Sequence, residues 1–123
     1  MSYMQTVKKV RDTVLQMEKH GVKVYHGLSD PPGQPVRTND RPKIVWTHGP
    51  ESGGTDMDNH KSEQTVGGEI FFFTDEEYDE RVDTLQKLLN DSGLGWSLTQ
   101  VEIDANEGYY FYAWDWTAVS VVG

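Results

Sequence analysis

The polar side chains that come closest to a catalytic pattern lie in one glycine-rich stretch, residues 49–60. Gly49–Thr55 (GPESGGT) has the glycine spacing of a phosphate-binding loop, but it lacks the lysine that should follow Gly54. Ser52 lies among glycines like the nucleophile of a hydrolase, yet Pro50 takes the place of the first glycine. The stretch therefore predicts neither an anion site nor a nucleophile.

Three residues near the end of this stretch have side chains that bind metal ions. Asp56, Asp58 and His60 are spaced like the first ligands of a calcium loop, but Lys61 stands where that loop needs glycine. Gly67 stands where the loop needs a bidentate glutamate. A weak ion site is the alternative that this spacing leaves open.

The remaining metal-binding side chains are scattered along the chain. The histidines are His20, His26, His48 and His60. They show no paired ligand spacing, so we expect surface or structural roles for them. The chain has no cysteine, which excludes disulfides, thiolate zinc sites and thiol catalysis. Because every catalytic motif is incomplete, we predict no enzyme activity, no bound metal and no cofactor.

Length and composition suggest one domain that spans residues 1–123. The sequence contains no apolar run long enough to cross a membrane and no leader pattern, so we expect a protein made in a cytoplasm with no membrane partner. The net charge of -9 argues against duplex nucleic acid as a tightly bound partner, because phosphate binding needs a surplus of Lys and Arg.

Charge is divided unevenly between the two ends of the chain. Residues 1–43 hold eight Lys or Arg against four Asp or Glu, a balance of +4, whereas residues 44–123 hold three against sixteen, a balance of -13. One interpretation is that the acidic part merely has a solvated helix face. The other is an oligomer in which the basic part of one subunit meets an acidic neighbour, a head-to-tail contact that can close into a ring.

The elements that must position these residues are clearest between residues 68 and 96. Ile70–Phe73 is too apolar to be left in water and predicts a core strand. Thr74 and Glu77 have the spacing of a capping box, which predicts a helix starting directly after Thr74. The apolar residues of that helix recur at helical spacing, and Asn90–Gly93 predicts its end.

The rest of the chain completes an α+β fold. The predicted elements are a helix over 3–20 ended by Gly21, strands over 22–26, 43–48 and 60–73, the second helix, and a hairpin of strands 97–103 and 109–121. A bulge is expected at Gly67–Gly68. Since helices and strands do not alternate, we expect a mainly antiparallel or mixed sheet with both helices on one face, in the order α-β-β-β-α-β-β.

The last strand is apolar on both faces. Tyr110, Tyr112, Trp114 and Trp116 share one face, and aromatic residues also lie on the other. A strand of this kind is either central and covered by helices or completed by another subunit, since aromatic residues are enriched at protein interfaces. The sequence leaves both interpretations open.

Taken together, the order of several short segments resembles the small tail-completion or tail-terminator proteins of bacteriophages with long non-contractile tails. These segments are Val24–Gly27, Pro42–Trp46, Asp58–Asn59, Gly68–Thr74, Leu85–Leu89, Gly93–Trp96 and Gly108–Tyr110. The resemblance covers nearly the whole chain.

The resemblance implies a structural virion protein at the head–tail interface. Such subunits form a ring, commonly a hexamer, that caps the tail tube, stops its polymerisation and joins it to the head. The implied partners are further copies of the chain, the major tail-tube protein and the head-completion or connector protein. DNA would pass through only as cargo, which fits an acidic chain because negative walls repel phosphates. The alternative is a small non-enzymatic binding or adaptor module that uses an exposed sheet edge or a weak metal site.

Three groups of residues are the candidates for contacts in such a ring. The charged group consists of Lys8, Lys9, Arg11, Arg37 and Arg41, facing Asp79, Glu80 and Asp83 of a neighbour. The aromatic group consists of Tyr110, Tyr112, Trp114 and Trp116. The third group is a polar loop without apolar anchors, expected to be flexible and to become ordered on assembly: Gly49, Glu51, Ser52, Gly53, Gly54, Asp56 and Asp58.

Overall fold

The computed structural model describes residues 1–27, 41–50 and 63–121, with the backbone alone at residues 63 and 121. Its elements are α1 (Tyr3–Leu15) with a 3-10 extension (Gln16–His20), β1 (Lys23–His26), β2 (Lys43–Trp46), β3 (Glu63–Thr74), α2 (Arg81–Ser92), β4 (Gly95–Asp104) and β5 (Tyr109–Val121). The predicted order of helices and strands is confirmed.

The five strands form one sheet in the order β1-β2-β3-β5-β4. β1 and β2 are parallel, and every other neighbouring pair is antiparallel, so the sheet is mixed and mostly antiparallel, as predicted. β5 lies between β3 and β4, the two strands that α2 connects. β1 and β4 are therefore the edges of the sheet.

Both helices pack on the same face of this sheet, as the sequence predicts. The core residues of α1 and α2 lie in one cluster with side chains from that face: Val7, Val10, Val14, Leu85, Leu89, Ile44, Ile70, Phe72, Trp114 and Trp116. Their recurrence at steps of three and four in the helices and at alternate positions in the strands is what brings them to one side. Burial of this set stabilises the two-layer arrangement.

The first helix is capped at both ends by residues next to it in the sequence. The Ser2 hydroxyl accepts a hydrogen bond from the Gln5 backbone at 3.2 Å, and the Gln5 side chain accepts one from the Ser2 backbone at 2.8 Å. This is a capping box that the sequence analysis missed. Gly21 ends the 3-10 extension with φ of 79°, which confirms it as the stop.

The predicted capping box at Thr74 and Glu77 is wrong. α2 begins seven residues after Thr74, and Thr74 is the last residue of β3. Tyr78 has φ of 58°, a left-handed conformation that interrupts any helix through this segment. Residues 75–80 instead form a tight connection, and the Thr74 hydroxyl accepts a hydrogen bond from the Glu76 backbone at 3.1 Å.

The bulge predicted at Gly67–Gly68 is also absent, because β3 and β5 pair in continuous register through both glycines. The irregularity lies in β4, between Leu98 and Gln100. Gly68 is needed for another reason: a Cβ there would overlap with the carbonyl oxygen of Thr47. The glycine lets the chain after β2 pass close to β3.

Candidate interaction surface

The aromatic side chains of β5 divide into a buried pair and a half-buried pair. Trp114 and Trp116 are fully buried in the core beneath the helices. Their indole N–H groups donate to the Gln86 side chain at 3.1 Å and to the Thr47 carbonyl at 3.0 Å. Both side chains are therefore satisfied inside their own subunit and present no exposed surface for the predicted contact with another subunit.

The half-buried pair, Tyr110 and Tyr112, lies in an exposed apolar surface at the β4 edge. Across the β4–β5 ladder, Ile103 stands opposite Tyr110 and Val101 stands opposite Tyr112, so all four point to the helix-side face. Leu98, Val101 and Ile103 are 41%, 55% and 67% exposed. We call this surface the apolar strip: Leu98, Val101, Ile103, Tyr110 and Tyr112.

The bulge in β4 is what assembles the apolar strip. Leu98 and Val101 are three residues apart, so a regular strand would place them on opposite faces. The register shift between Leu98 and Gln100 returns Val101 and Ile103 to the face of Leu98. Sequence reasoning missed the strip because its strand pattern held no signal for this shift.

A strained tyrosine lies beside the strip. Tyr78 is 87% exposed, and its positive φ is unfavourable for a bulky residue. The neighbouring Glu77 carboxylate accepts a hydrogen bond from the Tyr110 hydroxyl, and partial burial together with the Glu77 charge raises the pKa of Tyr110. The connection between β3 and α2 therefore brings an exposed ring and an acidic group to the border of the strip.

The border of the strip is acidic. Glu77, Glu80 and Asp83 are exposed on the connection and the first turn of α2. Arg81, in the same segment, points to the buried carboxylate of Asp79. Glu77 lies beside Tyr110 of the strip, and Glu80 and Asp83 continue from it along the connection and the first turn of α2; we call these three exposed carboxylates the acidic border.

The strand that carries the strip is also an edge. β5 is the only described strand that pairs with β4, which is ten residues long. Proteins usually blunt such edges, because an unpaired strand with exposed apolar side chains attracts another chain. The strip and the β4 edge together are the strongest candidate for a binding surface in the described residues.

Asp79, predicted to face a neighbouring subunit, is buried in its own. It is 5% exposed, and its carboxylate accepts hydrogen bonds from the Thr74 hydroxyl at 2.6 Å and from the Arg81 backbone at 3.0 Å. The Arg81 guanidinium adds a bond at 2.8 Å. Burial alone would raise the pKa of Asp79, but the hydrogen bonds from Arg81 and Thr74 outweigh it and lower the pKa.

The predicted basic residues have different surroundings. Lys8 and Arg11 are exposed on α1, and Arg11 pairs with Asp12 at 3.0 Å. Lys9 is half-buried, and its ammonium lies beside Gly93 at the end of α2, where a cation suits the helix dipole. Arg41 pairs with Asp75 and stacks over the Tyr109 ring, and both partners belong to its own subunit.

The predicted flexible loop falls mostly outside the described residues, as does Arg37. The loop positions concerned are Glu51, Ser52, Gly53, Gly54, Asp56 and Asp58. Gly49 is described, and it is anchored: its N–H donates to Gly67 at 2.8 Å and its carbonyl accepts from the Tyr3 hydroxyl at 2.8 Å. Gly49 is therefore held in its own subunit by hydrogen bonds, and the absence of apolar anchors and the ordering of the loop on assembly stay predictions.

Two histidines that are distant in sequence lie together. A ring nitrogen of His26 is 2.9 Å from a ring nitrogen of His48, and Trp46 stacks on His26 at 4.0 Å. Burial, with a contribution from His48, lowers the pKa of His26. The pair was missed because 22 residues separate its members. Within the described ranges no three metal-binding side chains converge.

A second aromatic cluster lies on the sheet face opposite the helices. Phe73 packs against Phe111 and Tyr109 with ring centroids 5.1 and 6.0 Å apart, and the Lys43 ammonium lies 5.0 Å from the Phe73 ring. A groove of about 500 Å³ borders the cluster beside the β4–β5 turn. Tyr109 and Asp104 both line this groove, where the Tyr109 hydroxyl hydrogen-bonds to the Asp104 carboxylate.

In the part of the chain that the structure describes, no helix is long and apolar enough to cross a membrane. No model of a known protein family matches the chain, and no similar sequence is found among curated proteins.

Proposed function

We propose that this protein is a structural subunit of a bacteriophage tail, which forms a ring on the end of the tail tube, ends its growth and joins it to the head. The observation that carries the proposal is the apolar strip beside β4, which pairs with no described strand except β5. The resemblance of the segment order to tail-completion proteins supplies the class of assembly. In this proposal the protein has no catalytic role.

The strip has the properties of a self-association surface. Leu98, Val101 and Ile103 keep 41%, 55% and 67% of their surface in water. Complete burial of such a side chain contributes about 1.5–3 kcal/mol, so covering the exposed half of three would yield about 3 kcal/mol for each contact. A ring repeats that contact at every subunit and leaves no strip uncovered.

The mechanism is geometric. Each subunit contributes one rigid two-layer sandwich, and closure of the ring fixes the number of subunits and the diameter of the opening. One face of the ring would match the last ring of the tube and the other the head connector. The net charge of -9 supports passage of DNA without retention, because acidic walls repel phosphates.

The proposal is tested on the purified chain with and without the tail-tube subunit encoded beside it. Light scattering measures the mass of the assembly, and negative-stain electron microscopy measures tube length. We expect a ring of uniform mass, and tubes that stop growing when the chain is added. Tubes of unchanged length with a monomeric chain would refute the proposal.

A pair of matched variants tests whether the strip carries the assembly. Val101 and Val119 are 55% and 57% exposed but lie on opposite faces of the sheet. Val101→Asn should weaken ring formation, whereas Val119→Asn should leave ring formation unchanged. The two substitutions should lower the stability of the subunit by similar amounts. Equal effects of the two variants would show that the strip is not the contact.

The β4 edge favours one other function, that of an adaptor. An extended peptide from another protein could add to β4 as a further strand through main-chain hydrogen bonds. The two functions differ in stoichiometry, because an adaptor stays monomeric and binds one peptide. A monomer in light scattering whose β4 amide signals shift on addition of tail or connector peptides would favour the adaptor.

A further inference from the structure

We propose that the apolar strip of one subunit is covered by the outer face of α1 from a neighbouring copy. The inference rests on the proposed function for the existence of a ring, and it adds the two surfaces that meet. It follows from the shape of the strip, from its charge and from the exposed residues of α1.

The outer face of α1 combines an apolar residue with two cations. Met4 is 55% exposed, and Lys8 and Arg11 follow it at four and seven residues, so the three share one stripe of the helix. We call these three residues the α1 stripe. Lys9 lies outside it, since its ammonium is beside Gly93 of its own subunit.

The surface at the β4 edge is complementary to this stripe. The apolar strip offers a place for the flexible side chain of Met4, which adapts to irregular surfaces. The acidic border of Glu77, Glu80 and Asp83 offers carboxylates to Lys8 and, in exchange for its exposed partner Asp12, to Arg11. Exposed ion pairs contribute only about 0–1 kcal/mol each, so they set the register while the apolar contact holds the subunits together.

The fold separates the two surfaces within one subunit. α1 packs against α2 and β5, whereas α2 packs against β4. The α1 stripe and the apolar strip therefore lie on different sides of α2, and the contact must join one copy to the next. A contact between two unlike surfaces is head-to-tail and can close into a ring.

Charge decides between this contact and the symmetric alternative. In a two-fold dimer that paired β4 with β4 antiparallel, the Ile103 end of one strand would lie beside the Gly95 end of the other, so the acidic border of each subunit would be left without a cation of the α1 stripe. The stripe-to-strip contact instead places cations against carboxylates. The observed distribution of charge therefore favours a ring over a β4–β4 dimer.

Cross-linking tests this contact directly, because the chain contains no cysteine. Three single variants are made: Met4→Cys on the stripe, Ile103→Cys on the strip and Val119→Cys on the opposite face as a control. A short bismaleimide should join Met4→Cys to Ile103→Cys in a mixture of the two variants. It should not join either variant to itself, nor Met4→Cys to Val119→Cys.

The possible outcomes separate the contact from the function. Cross-linking of Ile103→Cys to itself would indicate a symmetric contact through the strip and overturn the inference, as would the absence of any stripe-to-strip product. The double variant Met4→Cys/Ile103→Cys should give a ladder that ends at the ring. If the ladder forms but tubes are not capped, the contact stands and the proposed function fails.

A charge exchange gives an independent check by sedimentation. Lys8→Glu with Arg11→Glu should weaken self-association about tenfold, which corresponds to about 1.4 kcal/mol. Glu77→Lys with Glu80→Lys should do the same. The combination of all four substitutions should restore affinity to within about threefold of the original chain. A combination that is weaker than either pair would refute the proposed register.

Discussion

Replacing Asp79 with alanine is expected to destabilise the fold more than any other acidic substitution in the segment from residue 75 to 83. The carboxylate joins three elements: the end of β3 through Thr74, the start of α2 through Arg81 and, through the Arg81 guanidinium, the carbonyl of His20 at 3.3 Å. Because it is 5% exposed, water cannot take over its hydrogen bonds to Thr74.

The size of the effect follows from what the substitution leaves behind. Removing one partner of a buried ion pair costs about 3–5 kcal/mol. Arg81 retains contacts with Glu76 and His20, and 21% of its side chain is exposed, which favours the lower end. The Thr74 hydroxyl, however, loses its acceptor in a fully buried position. We therefore expect a loss of about 3 kcal/mol, a large part of the 5–15 kcal/mol typical of a domain.

Urea denaturation at neutral pH measures this loss, with Glu80→Ala as the matched control. Glu80 is the adjacent carboxylate, and it is exposed and makes no side-chain cap. The control should change the free energy of unfolding by less than about 0.5 kcal/mol. If Asp79→Ala costs no more than Glu80→Ala, the reasoning about the buried network is refuted.

The pH dependence of the unfolding free energy provides a second measurement of what Asp79 contributes. The pKa of Asp79 is lower in the folded than in the unfolded state, so the unfolded chain binds the proton first as pH falls. The stabilisation is complete above the unfolded pKa of about 3.9 and is lost as pH falls through the folded pKa. The difference between the original chain and Asp79→Ala should therefore shrink in strong acid and stay constant above about pH 5.

Two more predictions concern the packing of β3 and the histidine pair. Gly68→Ala should lower the unfolding free energy measured in urea by more than about 2 kcal/mol, because the new methyl group would overlap with the Thr47 carbonyl. The control Gly49→Ala meets only ordinary contacts, so an equal loss in both variants would contradict this packing. His26 has a folded pKa below its usual value, so stability should fall as pH drops through about 6.5. His26→Gln should flatten that slope, and an unchanged slope would assign it to other groups.

The order of elements could be predicted from the sequence because it is written in local signals. The apolar period of three and four residues marks α1 and α2, and Gly21 and Gly93 end them in the left-handed conformation that glycine adopts without strain. The fully apolar run Ile70–Phe73 marks the central strand. These signals are local in the sequence and do not depend on tertiary packing.

The start of α2 could not be predicted, because a tertiary contact overrides a local one. Thr74 and Glu77 have the spacing of a capping box, but the Thr74 hydroxyl donates to Asp79. Asp79 in turn accepts from the Arg81 backbone and fixes where the helix begins. The spacing of Thr74 and Glu77 does not show whether the Thr74 hydroxyl caps a helix or donates to Asp79.

The candidate surface could be predicted only in part. The sequence placed Tyr110 and Tyr112 correctly on one face with Trp114 and Trp116, because alternation along a strand is reliable. It could not tell which half of that face the helices cover. The difference depends on where α2 begins relative to the sheet, which is a property of the assembled layers.

Two irregularities of this chain act on the same surface, which argues for a binding role. The bulge after Leu98 gathers Val101 and Ile103 onto the exposed face of an edge strand, and the strained backbone at Tyr78 adds an exposed ring beside them. Each feature carries a cost in backbone conformation or solvation. A chain under selection for folding alone would gain from a charged residue at Ile103 and a glycine at Tyr78. The exposure of Ile103 and Tyr78 would be explained by another protein surface that covers them, and we propose a second copy of this chain as that surface.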